Sequence, residues 1–488
     1  MPHPDSLAEF VIAIDQGTTA TKVHRLDVNG EFVTLDVLSH RQILPRPGWV
    51  EHDALELLAS VKQGARHAVG AAGIGIDNQG ETVIAWDSET GKPICNAIVW
   101  QDNRTADAIA RLRATGAEEL TLARAGLPLD PYFSASKLRW IIDNVDAASG
   151  LMAAGRLRMG TSDSYFLDRL CGRFVTDVTT ASRTSLMNLR TLEWDPELCR
   201  LFGVPAEVLP TIVPTTGEFG SSAATGGARV TASIVDQQAA LYGHGCRGSG
   251  AAKITFGTGA FALCVAGQRL VSDPGSGLLP TLAWQMRGQL PVYAVDGGVY
   301  NAGSAVDWLR QVGLYAGYDE IDAFEGPSAV ERGLVFVPAL SGLACPYWDR
   351  SASGMWLGLG LDTGRADLCR AVLEGVALRT AQVLRAMRRH VPLQDTISID
   401  GGLSRNSYFC EFLAAALGCR VDVSANADVT GYGTALLAAA AVGMAVAQRS
   451  RVEPVRRFHG RPLPEHLHDR YADATERCRG WRFEARCT

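Results

Sequence analysis

The chain has 488 residues, 47% of them hydrophobic and 20% charged, with a formal net charge of −6. That length exceeds one compact core and predicts two or more domains. The acidic balance excludes a general binder of nucleic acid or of anionic membranes, which needs a basic face, and leaves a small charged ligand open. Eleven cysteines scattered from Cys95 to Cys487 contain no Cys-x-x-Cys pair; they read as buried thiols, neither a disulfide framework nor a zinc site, and predict a cytosolic protein. Met1 to Glu9 lacks the basic start of a targeting leader. Thr434 to Val446, rich in alanine, is too short to span a bilayer and reads as a packed helix.

In chain order, the apolar run Val11-Ile12-Ala13-Ile14 ends on Asp15 and is followed by Gln16-Gly17-Thr18-Thr19. This reads as a buried strand entering a tight turn that suits phosphate: Gly17 permits close backbone approach, Thr18 and Thr19 offer hydroxyls, and Asp15 could hold a divalent cation through water. The spacing is neither a P-loop nor Gly-x-Gly-x-x-Gly. Val23 to Val28 and Phe32 to Val37, joined at Asn29-Gly30, extend the strand into a three-strand antiparallel meander. Asp53 N-caps a helix to about Val69. Short strands follow at Ala72 to Ile76, Val83 to Trp86 and Ile98 to Trp100. Asp102 to Ala114 and Ser134 to Asn144 have helical period, with a loop at Asp130 to Phe133. Arg158 to Tyr165 leads into another helix, and Gly217 to Arg229 reads as a surface loop. Val230 to Ile234 is a strand that meets Asp236-Gln237-Gln238 and a helix through Tyr242.

The second half repeats the theme. Ala252 to Phe256 runs into Gly257-Thr258-Gly259, and Ile397 to Ile399 runs into Asp400-Gly401-Gly402. Three apolar strands that end in Gly-, Thr- or Asp-bearing turns predict a duplicated α/β architecture, two related sheets facing one nucleotide across a cleft. The boundary is placed at Gly245 to Gly250, a Gly-rich hinge. The predicted units are 1–246, 247–445 and a C-terminal extension, 446–488, rich in arginine (Arg449, Arg451, Arg456, Arg457) and read as helix and surface wrap. His459, His466 and His468 read as a solvated tail rather than a metal site.

The words Asp15-Gln16-Gly17-Thr18-Thr19, Pro47-Gly48-Trp49-Val50-Glu51-His52-Asp53, Asp130-Pro131-Tyr132-Phe133-Ser134, Ala181-Ser182-Arg183-Thr184, Asp236-Gln237-Gln238 and Pro346-Tyr347-Trp348-Asp349 resemble the glycerol kinase branch of the FGGY carbohydrate kinases. The resemblance runs from about residue 10 to 445. It implies the two-domain, duplicated ribonuclease H-like fold shared by actin, hexokinase and Hsp70, and transfer of the ATP γ-phosphoryl group to a polyol hydroxyl with Mg²⁺. By the same resemblance Asp236 is the general base and Asp15 holds the metal through water. Gly17, Thr18, Thr19, Lys22, Thr258 and Gly259 surround the phosphates, and Gly303, Asp307, Gly401, Gly402 and Asn406 lie near the ribose and base. The family also implies a homo-oligomer, a dimer or tetramer. Lys22 replaces the family's usual arginine, Asp307 a glutamine and Ser407 an asparagine.

The polyol grip implied by the family comprises Glu81, Trp100, Tyr132, Asp236, Gln237 and Phe261, all present, and an arginine that is not: Gly80 stands in its place. Two readings follow. Either Gly80 makes room for a longer polyol, or another side chain or water fills the gap and glycerol is still taken with a weaker grip. A pentulose kinase and a non-catalytic sugar or nucleotide sensor are the alternatives.

Overall fold

A computed structural model describes residues 9–447 and 455–482; the expectations for Met1 to Ala8 and for Arg449 and Arg451 fall outside them. The opening meander forms as expected: β1 (Phe10–Gln16), β2 (Ala20–Asp27) and β3 (Phe32–Ser39) pair antiparallel. Its inward residues Val11 to Ile14 are fully buried. β4 (Ile74–Asn78) lies parallel to β1, and β6 (Val230–Val235) lies parallel to β4. β5 (Thr216–Gly220) closes the edge antiparallel to β6, so the order is β5-β6-β4-β1-β2-β3. The start of the expected loop at Gly217 to Arg229 is therefore an edge strand. Its glycines hide the pattern, and Phe219, 3% exposed, anchors it.

The second sheet repeats the plan. β7 (Ala252–Phe256), β8 (Ala260–Gly267) and β10 (Val292–Val299) form an antiparallel meander, flanked by β9 (Leu279–Trp284). β11 (Thr396–Gly401) and β12 (Arg420–Val423) add in parallel beside β7. The order is β9-β10-β8-β7-β11-β12-β13, the last strand being Arg456–His459. In both sheets a first strand pairs antiparallel with the second and two later strands add in parallel on its other side, which is the duplication the turn words predict.

Helix α1 (Ala54–Ala65) is capped by the Asp53 carboxylate, which accepts from Leu55 N at 2.8 Å. α2 (Ser134–Asn144) has its expected bounds. The helix expected from Asp102 begins only at Ala106, because the buried Asp102 carboxylate instead binds Arg104 and Val50 N. A strand not foreseen, Leu157–Thr161, precedes the helix at Ser162–Cys171. α3 (Asp236–Gly243) leads from β6, and α4 (Gly303–Gln311), α5 (Arg365–Arg388) and α6 (Ser407–Leu417) cover the second sheet.

The alanine-rich helix α7 runs Val429–Ala441, five residues earlier than its apolar run suggests. Gly431 and Gly433 sit where the helix meets His24 and α3; a Cβ on Gly433 would lie 1.9 Å from Ala239 O. Although α7 follows the second sheet in the chain, it packs Ala435, Leu437, Ala438 and Ala439 with Val11, Ala13 and Ile234 of the first. The two halves are therefore interlocked where α3 crosses α7. In the tail, α8 (Glu465–Cys478) does more than wrap the surface: Tyr471 is buried and its hydroxyl donates to Gly375 O at 2.8 Å. No described helix is long and apolar enough to cross a membrane.

Candidate active site

The ends of β1, β4 and β6 place Asp15, Asp77 and Asp236 along one edge of the first sheet. Asp15 stands opposite Asp77 in the parallel register and opposite Lys22 in the hairpin. Asp77 is fully buried; its Oδ2 accepts from Thr434 Oγ1 at 2.6 Å, and its Oδ1 has no partner. Burial and the adjacent Asp15 carboxylate push Asp77 well above the usual carboxylate range, and burial also raises Asp15. Lys22 offers little relief, because its ammonium is paired with Asp428 at 2.5 Å, just before the start of α7.

Asp236 is the first residue of α3. Its Oδ1 accepts from Gln237 N at 2.6 Å, and burial, with Glu81 and Asp15 nearby, pushes its pKa up to about 7. Gln237 is held in turn: its Oε1 accepts from Lys253 Nζ at 2.6 Å, and Lys253 also donates to Thr255 Oγ1 at 2.9 Å. Lys253 is wholly buried on β7 and connects the second sheet to the residue beside the carboxylate.

Around Asp236 lie several of the residues expected to form a polyol grip. Glu81 adopts φ 59°, a left-handed conformation costly for a non-glycine residue and typical of functional sites. The Arg183 Nε donates to its Oε1 at 2.7 Å, while Arg183 Nη1 lies 3.2 Å from Asp296 of β10 and makes no hydrogen bond. Arg183 is 5% exposed, so this is a buried guanidinium held between the carboxylates of Glu81 and Asp296. Trp100 packs edge-on against Tyr132 at 5.7 Å, and its Nε1 donates to Thr18 Oγ1 at 3.2 Å, tying the aromatic wall to the first Gly-Thr turn. Lys137, buried under the Tyr132 loop, donates to the Tyr132 and Phe133 carbonyls; burial lowers its pKa to about 8. Phe261 on β8 stands beside Gly298 of β10. At Gly80 the structure differs from the expectation of added room: a Cβ there would lie 2.6 Å from Val235 Cγ2.

On the second sheet the Gly257-Thr258-Gly259 turn abuts the start of α4. Ala302 N donates to Thr258 O at 2.9 Å and Gly303 N to Gly257 O at 3.0 Å. Gly303 is required by closeness, since its Cβ would lie 2.5 Å from Gly257 O; Gly401, at φ 93°, would place one 2.2 Å from Phe256 O. Gly402 faces open space. Two expected nucleotide contacts look different in three dimensions. Asn406 spends both ends of its amide in the fold, accepting from Phe409 N at 2.6 Å and donating to Ile321 O at 2.7 Å. Asp307 is a half-exposed side chain 3.6 Å from Arg310.

Sequence reading assigned no role to Asp77, Arg183, Lys253, Asp296 or Val235. Asp77 ends an apolar strand as Asp15 does, a signal that was available. Lys253 lies inside an apolar strand, and only its fold neighbours reveal its partners. Other family words prove structural: Arg104 is sandwiched by Trp49 and Trp140, 3.8 and 4.6 Å from their ring centroids, and paired with Glu51 and Asp102.

Duplicated α/β halves, with carboxylates at the strand ends of the first sheet and Gly-Thr and Gly-Gly turns at those of the second, are the parts a phosphotransferase needs. The comparisons agree. The N-terminal domain of the FGGY family of carbohydrate kinases matches residues 10–243, and its C-terminal domain matches 252–442. Glycerol kinase of Geobacter sp. (strain M21) is 40% identical, covering 97% of this chain and 99% of that protein. Glycerol kinase of Rhizorhabdus wittichii is 42% identical, covering 90% and 89%. The crystal structure of Plasmodium falciparum glycerol kinase with ADP superposes with a TM-score of 0.89 at 30% identity, covering 96% of this chain and 98% of that one. The chain belongs to the FGGY family of carbohydrate kinases.

Proposed function

We propose that the chain transfers the γ-phosphoryl group of ATP to a hydroxyl of a small polyol of glycerol size. The observation that carries this reading is the placement of Asp236. A carboxylate with a pKa near 7 stands among Glu81, Arg183 and Tyr132, and the Trp100 wall links this group to the Thr18 turn. In the reaction the acceptor hydroxyl gives its proton to Asp236, its oxygen bonds to the γ-phosphorus, and the bond from that phosphorus to the leaving oxygen of ADP breaks. Glu81 accepts hydrogen bonds from acceptor hydroxyls, and the Arg183 guanidinium supplies the positive charge absent at position 80. Trp100, Tyr132 and Phe261 cover the carbon skeleton. Gly17, Thr18, Thr19, Thr258 and Gly259 surround the phosphates, with Gly401 and Gly402 toward the nucleoside.

The donor set suits Mg²⁺. Asp15 and Asp77 are adjacent buried carboxylates, one oxygen of Asp77 is unpartnered, and the nearest cation is already paired. Asp15 and Asp77 would hold a Mg²⁺ ion there, and it would offset phosphate charge. Cleft closure excludes water; the hinge is assigned to Gly245–Gly250, with φ of 76° and 83° at its two ends. Arg350 and Asp130, 3.0 Å apart across the halves, form a latch.

The test is ATP-dependent ADP release with Mg²⁺ and glycerol, erythritol, threitol, xylitol, arabitol, xylulose or ribulose. A polyol should give the highest kcat/KM. Asp236→Asn should lose about 10²–10⁴ in kcat with little change in KM. Asp236→Asn retaining more than about a tenth of turnover, against that range, would remove Asp236 from its role.

A further inference from the structure

Position 80 has no side chain, yet the space beside it is filled. A Cβ on Gly80 would come within 2.6 Å of Val235 Cγ2 and 3.9 Å of Arg183 Cγ. Gly80 is not among the residues with positive φ, so its backbone does not require glycine; the neighbouring valine does. Val235 cannot easily step aside. It is 3% exposed, β-branched and therefore stiff at χ1, and its N–H donates to Thr179 Oγ1 at 3.0 Å. The two positions also flank the chemistry directly, since Gly80 precedes Glu81 and Val235 precedes Asp236.

We infer that Val235 is a specificity-determining wall of the acceptor site: it closes the space that the missing side chain at 80 would leave, so that the site takes three-carbon polyols and disfavours four- and five-carbon ones. The inference rests on the polyol-kinase reading and sharpens it. Gly80 and Val235 act as a complementary pair, so a side chain at 80 is accommodated only when 235 is trimmed. The charged donor consequently comes from Arg183, which reaches Glu81 from a separate segment, between α2 and β5.

The experiment combines Gly80→Ala, Val235→Ala and the double variant. Gly80→Ala should lower Tm by about 2–4 °C through overpacking, and Val235→Ala in the same chain should recover most of that loss. In kinetics, Val235→Ala should raise the ratio of kcat/KM for erythritol over glycerol about tenfold, the effect of a methyl-sized change in an apolar wall. The inference is overturned if Gly80→Ala is as stable as wild type, or if the ratio stays within about threefold of wild type, below the discrimination expected of such a wall. A wild-type chain that turns over no polyol would defeat the proposed function itself. An active chain whose ratio does not move would defeat only the role of Val235.

Discussion

The two sheets share a plan, an antiparallel hairpin with parallel strands beside its first strand, and differ in how their ends are neutralised. In the first, the β1–β4 register sets Asp15 against Asp77, and burial raises both. In the second, the matching β7–β11 register sets Thr255 against Asp400. There Lys253 and His244 flank the acid, His244 Nε2 lying 3.5 Å from Asp400; burial alone would raise Asp400, but these partners hold it below the usual carboxylate range. One fold has thus been given an edge whose nearby cation, Lys22, is paired with Asp428, and an edge that is already neutral. The first suits a divalent ion and phosphates, and the second suits the nucleoside. Duplication supplies the geometry, while charge placement divides the labour between the halves.

The strongest way to break this contrast is to remove its internal cation. Lys253→Met strips Gln237, Thr255 and Asp400 of a buried partner and should cost about 3–5 kcal/mol of stability, read as a lower Tm. It should also raise the apparent pKa of Asp236, since Lys253 lowers it.

Removing a carboxylate from the other edge should act oppositely on stability. Asp77→Asn removes a buried carboxyl crowded against Asp15 and should raise stability at pH 8 without metal by about 1–3 kcal/mol, read as a higher Tm, while turnover falls and the Mg²⁺ requirement rises. Thermal melts with and without Mg²⁺, alongside kinetics, check both directions.

The next effect is in pH. Asp236 accepts a proton only when ionised, and its pKa stands near 7. In the free enzyme kcat/KM should therefore fall about tenfold per unit below that value. The linkage to stability has the opposite sense. The raised folded pKa favours the native state fully below the unfolded value near 3.8, and that contribution is lost as pH rises through about 7. The residual activity of Asp236→Asn should not follow this limb.

The smallest effect concerns the tie between acceptor wall and phosphate turn. Trp100→Phe keeps the edge-on packing with Tyr132 but deletes the hydrogen bond to Thr18 Oγ1. About 1 kcal/mol, or roughly fivefold, should appear in kcat/KM.

The amino-acid sequence by itself determined the meander, the Gly-Thr turns, the duplication and the family words, because these are local: alternating apolar residues, turn glycines and an N-cap act within a few residues. Asp15 stood out as the end of an apolar strand, whereas the expectations for Glu81, Trp100, Tyr132 and Asp236 came from the family resemblance. Tertiary structure decided what each of them touches. Arg183 reaches Glu81 from 102 residues away, Lys253 holds Gln237 from the other sheet, and Val235 fills the space beside Gly80. Likewise the helix that chain order assigns to the second half packs on the first, through Gly433 against Ala239. Such contacts depend on the close packing of distant segments, where one methyl group or one buried ammonium sets the shape and charge of the site.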